Sequence, residues 1–340
     1  MSSFNHRKAK HTNFGFIPGI SLKLLVFLTV LLAACQQGGR VKVLKLAHSL
    51  NTSHPVHGGM EYMADRLEEK SNGKLKIKIY PNGQLGGERE AVELLQIGSL
   101  AMTKVSAAVM ENFAPSYKVL GLPYIFRDKQ HAFDFYDSKV GKEILAQGED
   151  FRLRGLCFYD AGSRSFYTKD KPINEPSDLN GLKIRVMKSK TSINMVKLLG
   201  GSPTPISFGE LYTSLQQGVI DGAENNAPSF FSAKHYEVCK YYSIDEHSSV
   251  PDVLLIGTGV WERLNDQEKQ WLQEAADESS VHQRKLWKKS EEECLKAIKE
   301  AGVEISYPDK SPFASKVRPL YEEYEREPAI KELIQKIKSL

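Results

Sequence analysis

Lys74-Leu-Lys-Ile-Lys-Ile-Tyr80 alternates without error: Leu75, Ile77 and Ile79 on one side, three lysines on the other. That period of two is a half-buried strand. Upstream, Met60, Met63, Ala64 and Leu67 recur at helical spacing in Val56–Ser71, and Asn72-Gly73 is a stop. Before that helix, Val41–Ala47 reads as another strand. Downstream, Pro81-Asn-Gly-Gln-Leu-Gly-Gly87 is a turn cluster and Glu88–Ile97 a helix. This β-α-β-α order predicts an α/β fold with a mostly parallel sheet.

The pattern recurs. Leu153–Tyr159 and Leu182–Met187 read as strands, and Ser192–Leu199 as a helix stopped by Gly200-Gly201. Gly209–Gln217 is helical, and Val219-Ile220-Asp221 begins a short strand. Val253-Leu-Leu-Ile256 is apolar on both faces, as in a central strand. Asp266–Ala301 runs for 36 residues without Gly or Pro, between a cap at Asn265 and a stop at Gly302. As one helix it spans about 54 Å, enough to brace two lobes; two shorter helices split by a bend are the alternative.

The N-terminus is an address. Residues 1–34 hold Arg7, Lys8, Lys10 and Lys23 and no acid, and Leu24–Ala34 is an uncharged run. The run is too short for a spanning helix, which needs roughly 20 residues, and fits a secretory signal. Without those four cations the formal charge falls from +4 to zero and the length from 340 to 306 residues. A neutral mature chain gives no electrostatic reason to bind nucleic acid. Leu32-Ala33-Ala34-Cys35 resembles a bacterial lipobox, so Cys35 is the expected lipidation site and residues 35–40 a lipidated linker. No CxxC exists, and Cys157, Cys239 and Cys294 read as free buried thiols.

No H-E-x-x-H, G-x-S-x-G, P-loop or complete G-x-G-x-x-G occurs. His54-Pro-Val-His57 could hold a metal but reads better as a polar helix entry that touches ligand. Arg185 lies inside a strand and points opposite to Ile184 and Val186. Arg164 stands at the end of an apolar strand. A guanidinium suits bidentate carboxylate recognition, although a surface ion pair is the plainer use. Asp221-Gly-Ala-Glu-Asn-Asn-Ala-Pro228 suits a turn at a strand's C-terminal end, where α/β sheets bind ligands. Phe208 could offer a ring face to a ligand or pack in a core.

The chain resembles the solute-binding proteins of tripartite ATP-independent periplasmic (TRAP) transporters, the DctP family. The resemblance rests on Tyr80–Glu90, Leu122–Asp128, Asp178–Val186, Pro203–Tyr212 and Gln217–Asn226. It implies a two-lobe, periplasmic-binding-protein-like α/β fold with crossing strands and a long helix bracing both lobes. With the brace, it divides the chain into 41–161 plus 251–285 as lobe I and 162–250 plus 286–340 as lobe II. It further implies that Arg185 pairs with a substrate carboxylate and that Arg164, Asn225 and Phe208 belong to the site; Asn226 and His54 or Glu88 are expected to satisfy the remaining ligand oxygens. His247 and Glu224 would form a polar network near the hinge. Where sialic-acid members carry an acid, this chain has Val105-Ser106-Ala107. Ser53–His57, Gly162–Thr168, Ala223–Asn226 and Asp245–Leu255 look most like the sugar-acid branch, which takes hexuronates or 2,3-diketogulonate. The expectation is a lipid-anchored extracytoplasmic receptor that closes on a sugar acid and delivers it to the small and large membrane subunits of a carrier. No cofactor, metal or reaction is implied. The alternatives are a C4-dicarboxylate receptor, a receptor feeding a sensor kinase, and an extracytoplasmic uronate-processing enzyme.

Overall fold

The computed structural model describes residues 41–340, so the signal segment and Cys35 lie outside the described residues. A first sheet joins β1 (Lys42–Ala47), β2 (Leu75–Tyr80), β3 (Met102–Ser106), β4 (Leu153–Tyr159) and β10 (Asp252–Gly257) in the order β2-β1-β3-β10-β4. β1 runs parallel to β2 and β3, and β10 antiparallel to β3 and β4. A second sheet joins β5 (Arg164–Thr168), β6 (Lys183–Val186), β7 (Ser202–Pro205), β8 (Gly222–Asn225), β9 (Tyr241–Ser248) and β11 (Glu304–Ser306) in the order β11-β9-β5-β8-β6-β7. Pro203 and Pro205 sit in β7 at the sheet's edge, where a missing N–H costs no ladder bond.

Two chain segments pass side by side from sheet to sheet. β4 leads into β5, and β9 into β10; Tyr159 pairs with Asp252 in the first sheet and Arg164 with Ser248 in the second. These are the crossing strands that the resemblance implied. β10 is apolar on both faces because both are covered: Val253 and Leu255 enter one core, Leu254 and Ile256 the other.

Asp266–Glu300 is one continuous helix of 35 residues, about 52 Å long. Asn265 accepts from the Glu268 N–H, and the Glu268 side chain answers at the Asn265 N–H, a reciprocal cap. Leu272, Ala275, Ala276 and Trp287 pack under the first sheet, and Cys294 and Ile298 under the second. The bent alternative is thus excluded. Against this helix lies Pro55–Lys70, where a Cβ on Gly59 would stand 2.8 Å from Gln283 Cβ.

Three expectations change. Within 286–340, expected in lobe II, Leu320, Tyr324, Ile330, Leu333, Ile334 and Ile337 pack instead into the first lobe's core with Leu120, Phe126 and Phe135. Gly222–Asn225 is a strand, not a turn: a Cβ on Gly222 would stand 2.4 Å from the Tyr167 carbonyl, so glycine serves the close approach of β5. Phe208–Glu210 is a 3₁₀ turn, and the α-helix begins only at Leu211.

Candidate functional site

A pocket of about 820 Å³, its mouth included, opens between the two sheets. His54, Glu88, Lys104 and Asp252 line it from the first lobe, and Arg164, Arg185, Phe208, Asn225, Asn226 and Ser229 from the second. The lobes touch beside it. Asn51 Nδ2 donates to the Ser232 carbonyl at 2.8 Å, and Asn112 Nδ2 to the Lys188 carbonyl at 2.7 Å.

Arg185 sits on β6 with Ile184 and Val186 buried on the opposite face, as strand alternation requires. Its Nε donates to the Ile206 carbonyl at 2.8 Å, and its Nη1 has no partner among the described residues. The residue is 3% exposed, and burial lowers the guanidinium pKa from its ordinary value. A buried cation with free donors at a pocket wall has the chemistry to pair with an anion.

Arg164 is in a different state. Its guanidinium forks onto the Glu224 carboxylate, with Nη2 3.0 Å from Oε1 and Nε on Oε2. Nη1 donates to Asn225 Oδ1 at 2.8 Å. Burial alone would raise the Glu224 pKa, but Arg164 and His247 outweigh it and hold the carboxyl down to about 2. His247 Nδ1 lies 2.9 Å from Asp245 Oδ2, and its Nε2 lies 3.6 Å from Glu224 Oε2. Burial opposes its charge, yet the two carboxylates raise its pKa to about 9. Arg164, Glu224, His247 and Asp245 are therefore a self-neutralised network spread over β5, β8 and β9.

The two asparagines divide their work. Asn225 Oδ1 accepts from Arg164 and from the Asn226 N–H, which leaves its amide donors toward the pocket. Asn226 is held by protein at both ends: Oδ1 caps Ala227–Ser232 through the Ser229 N–H, and Nδ2 donates to the Ala161 carbonyl. His54 caps Pro55–Lys70 by accepting at Nδ1 from the Val56 N–H, so the proton sits on Nε2, which donates to Ser229 Oγ across the cleft. Burial, then Lys104, keeps its pKa well below the ordinary value. His57 meets His48 at 2.9 Å. Phe208 packs on cores of both lobes and lies edge-on to His235.

Three polar members escaped the sequence reading: Lys104, Asp252 and Ser229. Lys104 lies in β3, wholly buried, with Nζ 3.0 Å from Glu88 Oε1 and 3.1 Å from Asp252 Oδ1. For Lys104 a signal exists: a lysine in Met102–Ser106 lacks the outward alternation of Lys74, Lys76 and Lys78.

Residues 46–327 match the bacterial extracellular solute-binding protein family 7, DctP. The chain belongs to that family. It is a TRAP-type solute-binding protein, as the resemblance implied, with the family's two-lobe α/β fold. It is 40% identical to the YiiZ protein of Salmonella typhimurium over 303 residues, 87% of this chain and 91% of that one. A TRAP periplasmic solute-binding protein of Xanthobacter autotrophicus Py2, with bound β-D-galacturonate, superposes with a TM-score of 0.85 at 39% identity, covering 87% of this chain and 99% of that one. One from Anaerococcus prevotii, with bound D-glucuronate, superposes at 0.86 and 38% identity, covering 88% and 97%.

Proposed function

We propose that this DctP-family protein captures a hexuronate, galacturonate or glucuronate, by closing its lobes on the sugar acid, and passes it to a TRAP membrane carrier. Arg185 carries the reading: a buried guanidinium at the pocket wall with an N–H unpartnered among the described residues, in a chain that superposes on relatives whose solved structures hold hexuronates. Arg185 takes the carboxylate as a forked pair. Asn225 donates to a ring or hydroxyl oxygen, Phe208 offers a ring face, and His54 acts through Ser229. Arg164 serves chiefly to hold Glu224 and Asn225 in place, and Asn226 to cap the helix at the cleft.

Anchoring is part of the proposal. Among the described residues no helix is long and apolar enough to cross a membrane. Acylation of Cys35 would hold the receptor at the membrane, since each buried methylene contributes about 0.8 kcal/mol. The receptor reading is favoured over a uronate-processing enzyme because the pocket's carboxylates are engaged: Glu88 and Asp252 by Lys104, and the adjacent Glu224 by Arg164.

A thermal-shift panel of galacturonate, glucuronate, 2,3-diketogulonate, malate and succinate, backed by calorimetric titration, tests this. A hexuronate should give the largest stabilisation and be recovered unchanged. Stabilisation by malate or succinate and none by the sugar acids would overturn it.

A further inference from the structure

The pocket's two walls carry unmatched charges of opposite kind. On the second lobe the Arg164 charge is cancelled by Glu224, which leaves the cation of Arg185. On the first lobe two carboxylates share one ammonium: Lys104 Nζ reaches Glu88 Oε1 at 3.0 Å and Asp252 Oδ1 at 3.1 Å. The Glu88, Lys104 and Asp252 side chains are 17%, 3% and 9% exposed, so little water screens them. Both carboxylates hold the Lys104 pKa above its ordinary value despite burial, and burial raises that of Asp252, so two acidic groups share a single ammonium. The other cations lining the pocket are Arg89, paired outward with Glu93, and Lys188 on the second lobe.

We infer that Glu88, Lys104 and Asp252 form a hydroxyl-reading wall that admits sugar acids with one carboxylate and rejects their diacid counterparts. The inference rests on the sugar-acid reading above. Glu88 Oε1 also accepts from the Ser106 N–H at 3.3 Å, whereas Glu88 Oε2 and Asp252 Oδ2 accept from no group among the described residues. An ionised carboxylate only accepts, so these oxygens call for O–H donors. A sugar monoacid satisfies both walls, with its carboxylate on Arg185 and its hydroxyls on the trio. A diacid bound through Arg185 would set a third carboxylate beside two that one ammonium already serves. Like charges brought together in a desolvated site are strongly disfavoured.

Competition titration with galacturonate, galactonate and galactarate tests the wall. Galactonate and galactarate are open chains of equal length that differ in having one or two carboxylates. The unmodified protein should bind galactarate roughly 100-fold more weakly than galacturonate, and galactonate should fall between. Asp252→Asn and Glu88→Gln, each checked for folding by circular dichroism, should narrow the ratio of galactonate to galactarate affinity at least tenfold, whatever they cost in affinity for the monoacids. If galacturonate binds and galactarate binds equally well, the inference fails and the sugar-acid reading stands. It fails also if galactonate is rejected as strongly as galactarate, or if both variants leave the ratio unmoved. If no hexuronate binds, the sugar-acid reading falls and the inference with it.

Discussion

Replacing Arg185 by alanine should weaken sugar-acid binding by roughly 30-fold to several thousandfold. Its Nε is spent on the Ile206 carbonyl, so the terminal nitrogens are the donors left for ligand. In a closed, desolvated cleft the ligand carboxylate would lose both of those bonds. Truncating one side of a buried, hydrogen-bonded charge pair costs about 2–5 kcal/mol, and 1.4 kcal/mol is tenfold. Arg185→Lys should recover little, because an ammonium cannot form two parallel bonds and keep the Ile206 contact. The unliganded protein responds differently. Losing the bond to Ile206 costs about 1.5–3 kcal/mol, while removing a buried, uncompensated charge relieves a penalty of several kcal/mol. Its melting temperature should therefore stay level or rise. Isothermal titration calorimetry on both variants, with melts of the unliganded proteins, decides the matter. Lysine binding like arginine would refute the forked geometry; alanine doing so would place the anion elsewhere.

Three further outcomes are expected. Buried beside Asp245 and Glu224, His247 has its pKa raised from the ordinary 6.5 to about 9, so its contribution is full below pH 6.5 and lost as pH rises toward 9; melts should show stability falling across that window, by a few kcal/mol at most, and a His247→Gln variant that keeps the same slope would remove His247 as the cause. Gly59→Ala should destabilise by about 1–2 kcal/mol in denaturant unfolding, because overpacking against Gln283 outweighs the helix-propensity gain of about 1 kcal/mol; a stabilised variant would show that the two helices can separate freely. Cys35→Ala should move the protein from the membrane fraction to the soluble one with ligand affinity intact, and continued membrane retention would refute the anchor.

Local signals were legible where a residue's neighbours in sequence are also its neighbours in space. The alternation of Lys74–Tyr80, the double-sided apolarity of Val253–Ile256 and the capped run from Asn265 each state their own environment. Arg185 was legible as an inward charge because Ile184 and Val186 fix its direction. What failed is pairing at a distance. Arg164 is visible as a strand-end cation, but nothing local says that Glu224, on another strand, neutralises it. The Asn225-Asn226 pair looked like turn chemistry because a strand squeezed between two others takes the same small and polar residues. Pro328–Lys338 is plainly amphipathic, yet a periodic stripe does not name the surface that it covers.

That last helix has a consequence for how the molecule assembles. The core containing Leu120 and Phe135 is finished by Ile330, Leu333, Ile334 and Ile337, drawn from the far end of the chain. The ribosome makes these residues long after Leu120 and Phe135, and the loop that they close is long, so its entropy must be met before contact rewards it. A nascent chain short of its final turns would leave Pro115–Gly121 and Lys139–Ala146 without the helix that packs on their outer side. The first lobe is thus begun first and completed last, and the second lobe can be finished while the first is still open.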